Sequence, residues 1–147
     1  MKLNIKGKVL RSTDAVRRYS TDRSPYVIKP SIIAVPKNEN DVIKIVDYAG
    51  NNSLPITARG AGSNLSGSAL GTGIIIDFSE MNKIISIKGN RVRVQPGVIF
   101  EGINKKAGRF FLPYSPSSGG FCTIGGNVAT KAAGLRSVKY GSVDSFV

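Results

Sequence analysis

A loop of small residues, 59–68, carries the clearest chemical signal in the sequence. It reads Arg-Gly-Ala-Gly-Ser-Asn-Leu-Ser-Gly-Ser and follows a short apolar run. Without bulky side chains, successive backbone N–H groups of such a loop can point at one anion. It is not a Walker loop, because Ser68 and Ala69 stand where Lys-Ser/Thr is required, and not a Rossmann fingerprint, because Leu65 takes the third glycine position. The loop is therefore either a phosphate cradle or a plain glycine-rich turn.

A second loop with a similar composition spans residues 116–127. It contains the glycine pairs 119–120 and 125–126 and several hydroxyl side chains. Glycines allow a ligand to approach the backbone closely, and hydroxyls add hydrogen-bonding groups. Two such loops on either side of a core could clamp the two ends of a long phosphorylated ligand.

The side chains that usually perform catalysis are sparse. The sequence has no histidine, which removes the usual general base, the commonest metal ligand and any histidine-activated nucleophile. Cys122 is the single cysteine, so it excludes an intrachain disulfide, fits a reducing compartment and is predicted to be a small buried hydrophobe. Asp77 is predicted to be a strand-end acceptor and Tyr114 a packing residue. Arg59 has two open readings: it neutralises phosphate charge, or it pairs with a carboxylate and shapes the loop.

The first half of the chain has the pattern of a βαβ unit. Residues 32–35 and 55–58 are short apolar strands, and Asn38 between them is a good N-cap for a helix of about a dozen residues. Such strands should be parallel, with a right-handed crossover. Residues 74–78 form a third buried strand. Nearer the start, one face of a short helix is predicted at Val9, Leu10, Ala15 and Val16.

The second half indicates an antiparallel arrangement. Residues 84–87 and 91–94 flank Lys-Gly-Asn and form a hairpin, because the second run alternates apolar and basic residues. A helix is expected to end near Gly108, and another is expected at residues 128–135. The elements together predict an α+β fold with a parallel βαβ part and an antiparallel part.

Composition narrows the function classes. Lys and Arg number 21 and Asp and Glu 9, giving a formal charge of +12, so the surface attracts anions. A nucleic-acid-binding protein is disfavoured, because the aromatic residues do not alternate with the cations as a stacking platform requires. No run of 18 apolar residues exists for a membrane span, and the start has no apolar stretch for a signal peptide. A cytoplasmic protein is therefore expected.

Several motifs in one order resemble a known family. They are "YSTDRSPYVIKPSIIAVPKNENDV", "PITARGAGSNLSGSALGTGIIIDFSEMNKI", "VQPGV", "PSSGGFCTIGGNVATKAAG" and "KYG". Together they cover nearly the whole chain. They resemble the PCMH-type FAD-binding domain of the vanillyl-alcohol oxidase superfamily, shared by glycolate oxidase flavoprotein subunits and D-lactate dehydrogenases.

The resemblance implies roles for individual residues toward FAD. The loop would wrap the pyrophosphate through Arg59, Gly60, Ala61, Gly62, Ser63 and Asn64, with Gly67 and Ser68 close to the phosphates or the flavin. Pro36 would border the adenosine side, and Gly97 would allow a tight turn beneath the cofactor. The flavin and ribityl chain would be lined by Pro116, Ser117, Thr123, Ile124, Gly126 and Asn127. Thr130, Ala133 and Gly134 would continue that wall.

The resemblance also implies a domain organisation. Residues 1–80 would form the first FAD-binding lobe, with the phosphate loop at 59–68, and residues 81–147 an incomplete second lobe, the catalytic cap domain being absent. Some relatives tether FAD through a histidine in the first loop, which this sequence lacks, and Cys122 is a conceivable anchor only in the manner of distant relatives, so non-covalent FAD is expected here. No catalytic or metal-binding residue is predicted, and a homo-oligomer or a partner chain would supply the missing half.

The function implied is FAD-dependent oxidation of a 2-hydroxyacid. The 147 residues are expected to bind FAD without turnover, since no general base or substrate clamp is visible. The alternative is a non-catalytic fragment or subunit that binds FAD, or only a partner chain.

Overall fold

A four-stranded sheet organises the residues up to Met81, which form one of two compact units; the second is Asn82–Val147. The computed structural model describes residues 3–147. In chain order, the elements of the first unit are β1 (Lys8–Leu10), α1 (Thr13–Tyr19), β2 (Ile32–Val35), α2 (Glu39–Asn51), β3 (Ile56–Arg59) and β4 (Ile74–Asp77). A 3-10 turn, Phe78–Glu80, follows β4.

The strands lie in the order β1-β2-β4-β3. Strands β2 and β3 each pair in parallel with β4, and β1 pairs antiparallel with β2. The parallel βαβ unit predicted from the sequence is therefore confirmed, but its two strands are separated by β4. Because parallel strands end at the same edge of a sheet, the carboxyl ends of β2, β3 and β4 meet there.

Both faces of β2 and β4 are buried. Ala34 and Ile74 pack with Ile45 of α2, whereas Ile33 and Ile75 pack against the face covered by α1. A strand covered on two sides loses the alternation of apolar and polar residues, which explains why β2 and β4 are continuous apolar runs.

The start of α2 is held by a buried carboxylate. Asn38 caps the helix by accepting from the Asp41 backbone N–H at 3.0 Å, as its sequence position predicts. The carboxylate of Asp41 itself accepts from the backbone N–H groups of Lys6 (2.8 Å), Gly7 (2.9 Å) and Lys37 (3.0 Å). Asp41 thus ties the segment before β1 and the segment after β2 to the same helix.

The structure corrects the expected helix near the start of the chain. Val9 and Leu10 lie in β1, whose pairing with β2 satisfies their backbone groups, and only Ala15 and Val16 lie in a helix. That helix begins at Ser12, whose hydroxyl accepts from the Ala15 N–H at 3.3 Å. Val9 and Leu10 pair with the open edge of β2 instead of forming a helix, for which their apolar spacing was only a weak signal.

The second unit begins with an antiparallel hairpin, as predicted. Its elements are β5 (Ile84–Lys88), β6 (Arg91–Val94), α3 (Phe100–Asn104), α4 (Ile124–Ala129), α5 (Ser137–Tyr140) and the 3-10 turn Val143–Phe146. The core of this unit contains Phe100, Tyr114, Cys122 and Val143. The rings of Phe100 and Tyr114 pack edge to face with centroids 5.1 Å apart.

The helix expected at residues 128–135 lies earlier in the chain. Thr123 caps α4 by accepting from the Gly126 N–H at 3.3 Å, so the helix starts at Ile124. It ends at Ala129, and Lys131 then takes a φ of 48°. A left-handed conformation cannot continue an α-helix, which is why the predicted helix fails there.

Candidate functional site

The loop after β3 presents backbone donors without internal acceptors. Arg59 ends β3 beside Asp77 at the end of β4, so the loop leaves the sheet at its carboxyl edge. Within residues 3–147, the backbone N–H groups of residues 61–65 donate no hydrogen bond to the protein. A run of five unpaired amides, half-buried at 62–64, is suited to hold an anion rich in acceptor oxygens.

Asn64 shapes the second half of this loop. Its side-chain oxygen accepts from the backbone N–H groups of Ser66 (2.7 Å) and Ser68 (3.2 Å) and from the Ser66 hydroxyl (2.8 Å). Those donors are therefore already used inside the loop. Gly67 lies here too, packed against Tyr26. The run of open amides therefore ends at Leu65, directly before the first donor that Asn64 accepts from.

Gly62 sits at the tightest point of the loop. Its φ is +65°, a left-handed conformation that side chains rarely adopt. A Cβ atom at this position would overlap the guanidinium of Arg59, with the Arg59 Cζ only 2.8 Å away. Glycine is thus required both by the backbone conformation and by the arginine behind it.

Arg59 supports the loop from beneath. Its Nη1 donates to the Ala69 carbonyl at 3.3 Å and its Nη2 to the Thr21 carbonyl at 2.9 Å. Its guanidinium lies over the ring of Tyr19 at 5.2 Å. Burial lowers the pKa of Arg59, and the nearby Tyr19 and Asp77 act in the opposite direction, so the group stays a cation. Of the two readings left open by the sequence, these contacts support the shaping of the loop, but through carbonyls: no ion pair of Arg59 with a carboxylate is found among the described residues.

Tyr19 and Asp77 complete the support. The Tyr19 hydroxyl donates to the Asp77 carboxylate, whose other oxygen accepts from the Ser79 backbone N–H at 2.8 Å. Burial, the hydrogen bond to Asp77 and the charge of Asp77 together raise the pKa of Tyr19 to about 12. The sequence predicted Asp77 as a strand-end acceptor, whereas Tyr19 was not among the predicted site residues. No local pattern links Tyr19 to a residue 58 positions later.

A polar cleft of about 410 Å³ opens beside the start of the loop. It is lined by Lys8, Leu10, Arg18, Tyr19, Val35, Arg59, Gly60, Ala61, Asp77, Ser79 and Glu80. Lys8 and Glu80 form an ion pair at its edge. Pro36, predicted to border the adenosine side, is fully buried just after β2 and is not among the lining residues.

Four of the predicted site residues of the second unit, Thr123, Ile124, Gly126 and Asn127, gather at the start of α4. The N–H of Ile124 donates to the Val98 carbonyl at 2.8 Å, and the N–H of Gly126 to the Thr123 hydroxyl. Asn127 is buried, and its side-chain amide donates to the Tyr114 hydroxyl at 3.4 Å. These donors are therefore already used within the protein, unlike the backbone amides of residues 61–65.

The remaining predicted residues lie around this wall. Gly97 is buried in the turn between β6 and α3, and Pro116 and Ser117 belong to a turn closed by the Gly119 N–H on the Pro116 carbonyl. The Thr130 hydroxyl donates to the Gly126 carbonyl at 2.9 Å, and Ala133 is exposed. Gly134 packs its backbone closely against that of Ser115.

Comparison with protein families identifies this geometry. The family described as FAD binding domain matches residues 30–147. The chain belongs to this FAD-binding domain family. The free amides of residues 61–65 fit the cofactor, since the pyrophosphate of FAD carries the acceptor oxygens that such a cradle requires. FAD is thus the cofactor of this domain.

Curated relatives of this FAD-binding domain include proteins named for 2-hydroxyacids. The glycolate oxidase subunit GlcD of Bacillus subtilis is 35% identical over 138 residues, 88% of this chain and 29% of the relative. D-lactate dehydrogenase of Anaerostipes hadrus is 35% identical, covering 81% of this chain and 26% of the relative. D-2-hydroxyglutarate dehydrogenase of Escherichia coli is 39% identical, covering 87% of this chain and 13% of the relative. The chain therefore spans less than a third of these relatives.

Solved structures show the same fold. 6-Hydroxy-D-nicotine oxidase from Arthrobacter nicotinovorans matches with a TM-score of 0.79 and 30% identity, over 98% of this chain and 33% of that one. Alkyldihydroxyacetonephosphate synthase matches with a TM-score of 0.81 and 23% identity, over 92% of this chain and 29% of that one. The predicted α+β, PCMH-type FAD-binding fold is confirmed.

Two other kinds of feature are absent from the part of the chain that the structure describes. No group of three or more His, Cys, Asp and Glu side chains could hold a metal ion there. No helix among those residues is both long and apolar enough to cross a membrane.

Proposed function

We propose that this chain is the FAD-binding portion of an FAD-linked oxidoreductase that acts on a 2-hydroxyacid. The observation that carries the proposal is the run of unpaired amides at residues 61–65, next to the cation of Arg59. Five donors in a half-buried loop match the oxygens of a pyrophosphate, and the positive charge behind them offsets its negative charge. The bound flavin supplies the redox chemistry by accepting a hydride.

The substrate class is proposed from the relatives. Glycolate, D-lactate and D-2-hydroxyglutarate, which appear in the names of three of them, all carry a hydroxyl beside a carboxylate. We assign the substrate pocket and the general base to residues outside these 147. In support, the sequence has no histidine, and the described residues contain no group of three or more His, Cys, Asp and Glu side chains that could hold a metal ion.

Replacing Gly62 by alanine is expected to weaken FAD binding about tenfold, the equivalent of roughly 1.4 kcal/mol. The added Cβ disfavours the φ of +65° and displaces the Arg59 guanidinium, so the amides no longer converge. Titration of the purified protein followed by flavin fluorescence measures this. Riboflavin, which lacks the pyrophosphate, should bind weakly to both proteins.

Gly50→Ala is the matched control. Gly50 lies in α2 with nothing within 4 Å of the added Cβ, so this variant should bind FAD as the wild type does. A folded wild type that binds no FAD at high concentration would refute the proposed function, and equal affinities of wild type and Gly62→Ala would refute the role of the loop.

A partner chain or a second copy is proposed to cover part of the second unit. Large apolar side chains there are open to solvent: Val138 is fully exposed, Leu135 is 90% exposed and Val147 is 83% exposed. Exposed apolar surface of this kind favours association. Light scattering is expected to show species larger than a monomer, with Leu135→Ser shifting the distribution toward monomer. A wild-type monomer that binds no hydrophobic dye would contradict this.

A further inference from the structure

Three side chains form a connected layer directly behind the amides of residues 61–65. Arg59 is the member that touches the loop, because its guanidinium lies against Gly62 and bonds the Ala69 carbonyl at the far end of the loop. Tyr19 supports the flat face of that guanidinium at 5.2 Å. The carboxylate of Asp77 accepts a hydrogen bond from the Tyr19 hydroxyl. The layer joins α1, β3 and β4 to the loop.

The geometry gives Arg59 a structural task that uses two of its five N–H donors. Its two terminal nitrogens already donate to the carbonyls of Ala69 and Thr21, at 3.3 and 2.9 Å. A planar guanidinium in this position acts as a strut between two loops. Its charge still lies against Gly62, within reach of an anion bound by the neighbouring amides.

Tyr19 and Asp77 determine where that strut stands. The ring of Tyr19 restricts the guanidinium to one side, and its hydroxyl is fixed by a carboxylate at the end of β4. Asp77 is anchored in turn by the Ser79 N–H at 2.8 Å. If the ring is removed, Arg59 loses its cation–π support and gains free rotamers. The loop above Gly62 would then lose its fixed shape.

We propose that Tyr19 and Asp77 are positioning residues of the cofactor site, acting through Arg59 to hold the amides of residues 61–65 open toward a diphosphate. This inference rests on the proposed function, since it concerns the same loop. It assigns a role in cofactor affinity to α1, an element without a residue in the loop.

The test compares Arg59→Gln, Tyr19→Leu, Tyr19→Phe and Asp77→Asn with the wild type, using FAD and ADP as probes. ADP carries the diphosphate without the flavin, so it reports on the loop alone. Dissociation constants for both probes are expected to rise about twentyfold in Arg59→Gln and about fivefold in Tyr19→Leu, the range that a charge and a cation–π contact support. Tyr19→Phe keeps the ring, so its dissociation constants should rise less than those of Tyr19→Leu. The dissociation constants of Asp77→Asn should lie between those of the two tyrosine variants.

Arg17→Gln is the charge-matched control. Arg17 lies on the same helix α1, is exposed and forms an ion pair with the neighbouring Asp14, at 3.4 Å. Its removal should leave both dissociation constants within twofold. Urea unfolding midpoints, measured in parallel, separate lost affinity from lost stability. Folded Tyr19→Leu and Arg59→Gln proteins with wild-type affinity for FAD and ADP would overturn the inference.

A second measurement does not depend on binding. If the wild type binds neither FAD nor ADP, the proposed function is refuted, but the role of Tyr19 and Asp77 in shaping the loop can still be tested. The amide chemical shifts of residues 61–65 in nuclear magnetic resonance spectra report the shape of the loop directly. They should move in Tyr19→Leu and Asp77→Asn and stay in place in Arg17→Gln. Unchanged loop shifts in Tyr19→Leu would overturn the inference.

Discussion

Replacing Asp41 by alanine is expected to lower the free energy of unfolding by about 4 kcal/mol, measured by urea denaturation at pH 7. The carboxylate is fully buried and accepts from Lys6, Gly7 and Lys37. Its loss leaves three backbone donors without an acceptor, and each bond to a charged group contributes roughly 1.5–3 kcal/mol. Asp41→Asn keeps one acceptor oxygen and should lose about half as much.

The matched control is Asp47→Ala on the exposed side of the same helix, which should change stability by less than about 0.5 kcal/mol. If Asp41→Ala and Asp47→Ala have equal midpoints, the three bonds contribute nothing to stability.

The contribution of Asp41 also depends on pH. Burial alone would raise its pKa, but the backbone bonds from Lys37, Lys6 and Gly7 outweigh burial and lower the pKa below its ordinary value of 3.8. Because the folded pKa is lowered, the stability it adds is present above the unfolded value and is lost as the pH falls through the folded one. The difference in stability between wild type and Asp41→Asn should therefore shrink below about pH 4.

Replacing Gly134 by alanine is expected to destabilise the second unit by about 3 kcal/mol, the upper range for overpacking. A Cβ at Gly134 would overlap the carbonyl oxygen of Ser115 and lie 2.7 Å from the Pro116 backbone nitrogen. Backbone atoms cannot rotate away as a side chain can, and the Leu135 N–H already donates to the Ser115 carbonyl at 3.1 Å. Thermal unfolding followed by circular dichroism measures the loss.

Gly102→Ala is the control in the same unit, since nothing lies within 4 Å of its added Cβ and alanine favours the helix in which it lies. It should match or slightly exceed the wild type in melting temperature. A Gly134→Ala protein as stable as Gly102→Ala would show that the two segments separate at little cost.

The sequence predicted those parts of the fold whose signals are local. The apolar runs of β2 and β4 revealed two-sided burial, and Asn38 marked the start of α2 through its capping chemistry. The hairpin of β5 and β6 followed from alternation around a Lys-Gly-Asn turn. The first loop could be recognised as an anion cradle or a turn because its small residues are consecutive.

What the sequence could not supply depends on contacts between distant segments. Whether residues 61–65 keep their amides free is decided by hydrogen bonds that composition does not encode. The support of Arg59 by Tyr19 joins positions forty residues apart, and the strand at Lys8–Leu10 exists because β2 offers it an edge. The helix at 128–135 failed because the left-handed Lys131 follows from packing rather than from its own propensity.

The strand order β1-β2-β4-β3 has a consequence for how the protein is made. Strands β2 and β3 do not touch; each gains its parallel neighbour only from β4. While the nascent chain still lacks Ile74–Asp77, β2 and β3 have no shared partner strand. The loop at 59–68 also lacks Asp77, which holds Tyr19 against Arg59. Because domains fold as units during synthesis, emergence of β4 from the ribosome is the event that closes the sheet and shapes the loop at once.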